Sequence, residues 1–231
     1  MNSTVYLVPC VLDESATNTI PLYIVDAVKN CQVIFAENER TARRFLKSIC
    51  KEIVIDDYEW FAIHKVEEEQ INNFKQKIKE EKNIAIISEA GCPGIADPGQ
   101  KLIEAAHQCN AIVKPLVGPS SILLALMASG MNGQQFSFVG YLPIDNGERT
   151  KAIKELETRS EKQGSQAFIE TPYRNNQLLE TLLKTCKPST KICIAAELTS
   201  PNEFVKTKTV ADWRKEKTDF HKKPVIFLLQ A

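Results

Sequence analysis

A short apolar run, Ile84-Ala85-Ile86-Ile87, passes directly into Ser88–Gly99, which reads S-E-A-G-C-P-G-I-A-D-P-G. This junction constrains the fold more than any other stretch. The run has the length and continuity of a buried strand. The loop holds three of the chain's nine glycines, and no glycine precedes it. It ends in Asp97-Pro98-Gly99, where Asp97 is placed to cap a helix and Pro98 to occupy its first position. Strand, tight loop and helix in that order predict an α/β protein with this loop at the carboxyl end of a strand, where ligands usually bind. Glycine tolerates positive φ and lets the backbone approach a bound molecule closely. Glu89 would direct a carboxylate at that molecule. A stiff connection draws on the same residues, so the loop alone leaves both readings open.

The rest of the chain repeats the pattern. Strands are expected at Thr4–Val8, Gln32–Ala36, Ile53–Ile55, Ile84–Ile87 and Ala111–Leu116. Between them, helices are expected from Ile20 to Asn30 (capped by Thr19), from an opening at Glu37-Asn38-Glu39-Arg40 through the row Arg40, Arg43, Arg44, Lys47 and Lys51, and from Glu67 to Lys82. A second loop-to-helix switch, Val117-Gly118-Pro119-Ser120-Ser121, opens a helix to Ser129 that is apolar all round and therefore expected to be buried. The character then changes. Strands at Phe136–Leu142, Gln166–Ile169, Lys191–Ala196 and Pro224–Leu229 are joined by an alternating Glu203–Val210 that reads as an exposed antiparallel strand. Thr171 and Pro172 are placed to cap and start a helix to Cys186. The expected domains are residues 1–116, mostly parallel and carrying the glycine loop, and 117–231, with a mixed sheet.

Charge and cysteine usage narrow the function. Lys+Arg and Asp+Glu number 29 each, for a net charge of zero. That argues against whole-molecule electrostatic binding of nucleic acid, while leaving room for a local basic face. Seven scattered cysteines form no C-x-x-C, and three histidines supply little for a metal site. No metal is expected. Cys92, inside the glycine loop, reads as a small filler. The amino terminus carries no basic n-region and no run reaches membrane-spanning length, so a cytoplasmic protein is expected.

The first βα turn lacks G-x-G-x-x-G, which excludes a Rossmann dinucleotide site, and G-x-x-x-x-G-K-[ST] is absent. A glycine loop offering main-chain groups and one carboxylate suits an amino-acid-bearing nucleoside better than nucleotide phosphates. Seven segments then line up in order: A-E-N-E-R-T-A-R-R-F-L from Ala36, S-E-A-G-C-P-G-I-A-D-P-G, V-G-P-S-S, F-V-G-Y-L-P, G-E-R, I-E-T-P-Y-R and A-A-E-L-T. With these the chain resembles the tetrapyrrole methylase superfamily of S-adenosylmethionine (SAM) methyltransferases, and within it the small-subunit ribosomal RNA ribose 2′-O-methyltransferases.

That resemblance implies two α/β domains of the tetrapyrrole methylase type, not a Rossmann methyltransferase, with the cofactor cleft between them. It also implies a homodimer, SAM as cofactor and ribosomal RNA or the small subunit as partner. By position, SAM contacts fall on Glu89, Ala90, Gly91, Cys92, Ser120, Ser121, Thr171 and Ala196. Catalytic residues facing the acceptor fall on Glu37 and Arg40, and substrate contacts on Arg43, Arg44, Tyr173 and Arg174. Each has a plainer reading: Glu89 as a loop cap, Glu37 and Arg40 as a charged helix start, the arginine row as a solvated face, Tyr173 as a packed ring with a wet hydroxyl, and Arg174 as a salt bridge to Glu170 or Glu197. The chain departs from the family pattern at Pro9–Asp13 (for T-P-I-G-N), Glu37–Arg40 (for E-D-T-R), S-E-A-G (for S-D-A-G) and E-T-P-Y-R (for E-S-P-H-R). Two other functions stay open: methylation of another acceptor such as a tetrapyrrole, and non-catalytic SAM binding.

Overall fold

Buried strands with continuous apolar sequence need cover on both faces, and the first half of the chain supplies it. The computed structural model describes residues 3–63 and 68–231. Two compact units divide the chain, residues 1–120 and 121–231.

In the first unit, β1 (Thr4–Val8), β2 (Val33–Ala36), β3 (Glu59–Ala62), β4 (Ile84–Ile87) and β5 (Ile112–Pro115) form a sheet in the order β3-β2-β4-β1-β5. Every pairing is parallel. The helices are α1 (Tyr23–Lys29), α2 (Glu39–Ile49), α3 (Glu68–Lys79) and α4 (Gln100–Gln108). Because successive side chains of a strand point to opposite faces, β4 feeds two cores. Ala85 and Ile87 join Ile34 with Phe45 and Leu46 of α2 on one face. Ile84 and Ile86 join Phe35 with Phe74 of α3 and Leu102 of α4 on the other. There Phe35 stacks on Phe61 at 4.7 Å and meets Phe74 edge-on at 5.1 Å. On α2 the buried set Ala42, Phe45, Leu46 has helical spacing, and Asn38 caps the helix by accepting from the Thr41 amide at 3.2 Å.

Several local expectations are corrected. Ile53–Ile55 is no strand: a 3₁₀ turn occupies Ile55–Asp57, and the third strand is Glu59–Ala62. That strand is only half buried and has one neighbour, β2, so its sequence lacks the apolar run of a central strand. Thr19 caps no helix. Its hydroxyl donates to Ala16 O at 2.7 Å within the 3₁₀ turn Thr17–Thr19, and α1 starts at Tyr23. The predicted helix start at Glu67 and the side chain of His64 lie outside the described residues.

The second unit holds β6 (Phe136–Tyr141), β7 (Ser165–Ile169), β8 (Lys191–Ala196), β9 (Phe204–Thr209) and β10 (Val225–Gln230), with helices α5 (Ser121–Ser129), α6 (Asn146–Gln163), α7 (Asn175–Thr185) and α8 (Val210–Trp213). The order is β6-β7-β10-β8-β9. Only β6 and β7 pair in parallel, while β10 runs antiparallel to both β7 and β8, and β9 to β8. The sheet is mixed, in line with the change of pattern after Ser129. Phe168 stacks on Phe227 at 5.9 Å, and buried Trp213 donates to Ile192 O at 2.8 Å. Asp145 caps α6 through the Glu148 amide at 2.9 Å. The expectation that α5 is buried fails. Ala125, Leu126 and Ser129 face inward, but Leu123 is 50% and Met127 78% exposed, because only one side of this short helix meets the sheet. Thr171-Pro172 does not start a helix either. A turn closed by the Arg174 amide on Thr171 O (2.9 Å) intervenes, and α7 begins at Asn175. No helix among the described residues is long and apolar enough to cross a membrane.

Candidate functional site

Parallel strands release all their loops at one edge, so β1, β2, β4 and β5 bring four connections together at their carboxyl ends. Hydrogen bonds lock them. Cys10 donates to Gly91 O at 2.8 Å and Gly91 returns a bond to Cys10 O at 3.1 Å, a two-residue bridge between the loop after β1 and the glycine loop. Gly91 sits at φ +72, a conformation that costs a residue with a Cβ energy. The Ser88 hydroxyl donates to Gly91 O at 3.1 Å. The Cys92 Sγ lies 3.5 Å from Pro119 O, tying in the loop after β5. Gly118 meets Pro9 so closely that a Cβ there would lie 2.2 Å from the proline Cβ. From β2, the Glu37 carboxylate accepts from the Glu89 amide at 3.0 Å.

Asp97 is the internal clasp of the loop rather than a helix cap. Its Oδ1 accepts from the Gly94 and Gly99 amides, both at 2.8 Å, and α4 starts one residue after Gly99. Burial raises its pKa, opposed by those two amide bonds, and the nearby Glu37 charge raises it further. A folded pKa above the unfolded value of 3.8 means that ionisation costs the fold stability, a cost that appears as pH rises through the folded pKa. Asp97→Asn keeps the accepting Oδ1 and removes the charge. Its melting temperature relative to wild type is expected to be higher at neutral pH than near pH 4. Thermal melts at the two pH values check this; an equal difference at both would show that the clasp does not titrate against the fold.

Beside this edge opens a cavity of about 420 Å³ lined by Cys10, Val11, Leu12, Glu14, Thr41, Arg44, Phe45, Ser48, Glu89 and Ala90. Its size suits a small-molecule ligand. Apolar side chains with the carboxylates of Glu89 and Glu14 can receive an organic cation that carries an amine. Burial disfavours the thiolate here: it pushes Cys10 up to about 12 and also raises Cys92. No cluster among the described residues has the make-up of a metal site. A neighbouring groove of about 570 Å³ runs along α2 past Glu39, Arg40, Arg43, Arg44, Lys47 and Ile55. Arg43 is engaged there. It pairs with Glu39 at 3.4 Å and lies 4.8 Å over the Trp60 ring.

The remaining candidates belong to the second unit, where β6, β7 and β8 share a direction and end at one edge. Glu170 is buried and its Oε1 accepts from the Thr171 amide (2.6 Å) and from Arg174 Nε (3.0 Å) and Nη2 (2.6 Å). Arg174 is therefore the partner of Glu170, the plainer of its two readings, and not a free phosphate ligand. Tyr173 is 69% exposed with His221 edge-on at 5.8 Å. Ala196 is wholly buried, paired with Val225 and Phe204, so its side chain faces the core. Ser120 closes the last loop of the first unit and Ser121 is the first residue of α5. Three residues named in the sequence take other roles in this architecture than their residue types suggest, or roles left undecided. Pro9 had no visible signal. Asp97 had one in the Asp-Pro-Gly spacing, which suits an Asx-type turn. Glu170 had one in its i,i+4 relation to Arg174.

A family model described as tetrapyrrole (corrin/porphyrin) methylases matches residues 15–213. The ribosomal RNA small subunit methyltransferase I of Escherichia coli O157:H7 is 30% identical over 174 residues, which is 74% of this chain and 60% of that protein. Those of Buchnera aphidicola subsp. Schizaphis graminum (28% over 229 residues; 97% and 76%) and Bacillus subtilis strain 168 (29% over 215; 91% and 70%) match as well. The chain thus spans less than two thirds of the Escherichia coli relative. The methyltransferase CobJ aligns over 100% of this chain and 94% of its own with a TM-score of 0.67 at 16% identity. The uroporphyrin-III-C-methyltransferase of Thermus thermophilus aligns over 99% and 94% with a TM-score of 0.59 at 15% identity. At those identities the two structures establish the fold.

Proposed function

The chain belongs to the tetrapyrrole methylase family, and on that premise we propose that it is a SAM-dependent methyltransferase transferring methyl to a ribose 2′-oxygen of small-subunit ribosomal RNA. The observation that carries this reading is the cross-tied loop edge of the first sheet, with Glu89 and Ala90 lining a ligand-sized cavity. The names of relatives that align over up to 97% of the chain support the RNA acceptor. The fit to SAM rests on the donor set: a carboxylate for the ammonium, main-chain groups at Ala90, Gly91 and Cys92, and apolar walls. Ser120, Ser121, Thr171 and Ala196 complete the proposed contacts, Ala196 through its main chain.

SAM, when bound, supplies an electrophilic methyl on a sulfonium. The protein's part is then chiefly to hold donor and acceptor in line, since fixed geometry alone lowers such barriers substantially. Glu37 contributes by position. Its carboxylate holds the Glu89 amide and so fixes the head of the loop. Arg40, exposed in the first turn of α2, is proposed to meet the acceptor side. A cytoplasmic homodimer completes the reading.

Calorimetric titration with S-adenosylhomocysteine tests the cofactor. Wild type is expected to bind, and Glu89→Ala to bind about tenfold more weakly, the worth of one charged hydrogen bond. Absence of binding at millimolar cofactor would sink the methyltransferase reading; unchanged affinity in the variant would take Glu89 out of the site. The acceptor is tested by transfer of labelled methyl from SAM to purified small-subunit rRNA, with the modified ribose located by alkaline-hydrolysis mapping. Label on a tetrapyrrole and none on RNA would reassign the substrate.

A further inference from the structure

We propose that the solvent face of α2 is the surface that grips the phosphate backbone of the RNA, through Arg40, Arg44 and Lys47, and that Arg43 takes no part in it. The inference rests on the reading of the acceptor as ribosomal RNA and names where that acceptor lies. At 100° per residue, positions 40, 44 and 47 fall within an arc of about 60° and span about 10 Å along the helix. All three side chains are exposed. Their charges are little compensated. Arg40 has no ion-pair partner among the described residues. Arg44 meets only Glu14, at 3.3 Å, with both side chains more than 60% exposed, a pairing that water and salt weaken. Lys47 donates to a carbonyl, Lys51 O at 2.9 Å, which leaves its charge unneutralised. Glu39, the acid of the same groove, is taken by Arg43.

Arg43 is the internal contrast. It belongs to the same row in sequence, yet it is packed over Trp60, whose Nε1 is in turn fixed on Ile55 O at 3.0 Å. The face also leads somewhere. Arg44 lines both the α2 groove and the cavity that contains Glu89 and Ala90. A strand held by Arg40, Arg44 and Lys47 would pass beside the glycine loop. In a chain of zero net charge, this concentration of cations supplies the local basic surface that an RNA enzyme needs.

The test compares wild type, the triple variant Arg40→Gln/Arg44→Gln/Lys47→Gln, and Arg43→Gln, each as the full chain. A fluorescent single-stranded oligoribonucleotide is titrated at low salt and at fourfold higher salt. Three phosphate contacts give a slope of about −2 in log affinity against log salt, or about a 20-fold loss across that range. Wild type and Arg43→Gln are expected to show it. The triple variant is expected to bind weakly with a slope near zero, while its urea-unfolding midpoint and circular dichroism spectrum stay close to those of wild type and report an intact fold. A slope that survives in the triple variant while wild type methylates rRNA would overturn the surface and leave the acceptor standing. Failure of wild type to bind RNA or methylate rRNA would overturn both. Loss of binding to phosphatidylserine vesicles in the triple variant with RNA binding unchanged would reassign the face to anionic lipid.

Discussion

Gly118→Ala is expected to weaken S-adenosylhomocysteine binding by at least about 30-fold and to destabilise the first unit by about 1–3 kcal/mol. The added Cβ would lie 2.2 Å from Pro9 Cβ and 2.3 Å from Pro9 Cγ. A proline ring cannot rotate away, because it is closed onto its own backbone. Relief must come from moving the loop after β1 or the loop after β5. The first carries Cys10, bridged to Gly91, and the second carries Pro119, against Cys92. Either movement disturbs the glycine loop that the proposed cofactor contacts. Calorimetry and urea unfolding measure the two effects. The double variant Pro9→Gly/Gly118→Ala removes the ring and is expected to recover most of the affinity, a coupling that two independent sites would not show. An affinity within threefold of wild type in Gly118→Ala alone would mean that the loops move separately.

Gly164→Ala is expected to be the most destabilising of the glycine-to-alanine substitutions in the second unit, by about 3 kcal/mol or more. Two costs add. Gly164 lies at φ +73 and ψ −154, a region essentially reserved for glycine that costs a residue with a Cβ about 1–3 kcal/mol, and the new atom would stand 2.0 Å from Gln135 O and 2.9 Å from Gln135 C. That carbonyl accepts from the Ser165 amide at 3.0 Å, so pushing it aside also disturbs the start of β7, next to β6. Two other glycines grade the test. Gly130→Ala, with φ +66 and open space, bears only the conformational cost; Gly133→Ala, with open space and no positive φ, is expected to be near neutral. Urea midpoints in the order Gly133→Ala, Gly130→Ala, Gly164→Ala, from most to least stable, are the expected result, and equal midpoints for the last two would show that the clash is relieved at no cost.

The loop at the candidate site was legible before its structure. The glycine loop announced itself because strand, glycine and helix signals are local, each readable within a few residues of Ser88–Gly99. Glu89 and Ala90 do line a cavity, and Arg44 does share it. The errors were at boundaries and partners. Asp97, Thr171 and Thr19 have the residue types of helix caps, but Asp97 and Thr19 spend side-chain hydrogen bonds inside a turn that precedes the helix, and the Thr171 carbonyl closes such a turn by accepting from the Arg174 amide. Glu59–Ala62 was missed because an edge strand needs no continuous apolar run. Arg43 is not distinguished in sequence from its neighbours Arg40 and Arg44, and only Trp60 sets it apart; Arg174 is likewise engaged only because Glu170 folds against it.

The sequence by itself determined the α/β class, the change from a parallel to a mixed pattern after Ser129, and the loop on which a ligand would depend. These follow from hydrophobic period and from glycine and proline chemistry, which act over one turn of helix or one strand. Only the tertiary structure decided that Glu37 holds an amide 52 residues away, that Cys10 bridges Gly91, that Pro9 requires a glycine at 118, and which arginines of α2 stay exposed. The physical reason is that those contacts depend on strand order, β3-β2-β4-β1-β5. Strand order places loops side by side, whereas each strand's periodicity records only that it is buried and not which strand lies next to it.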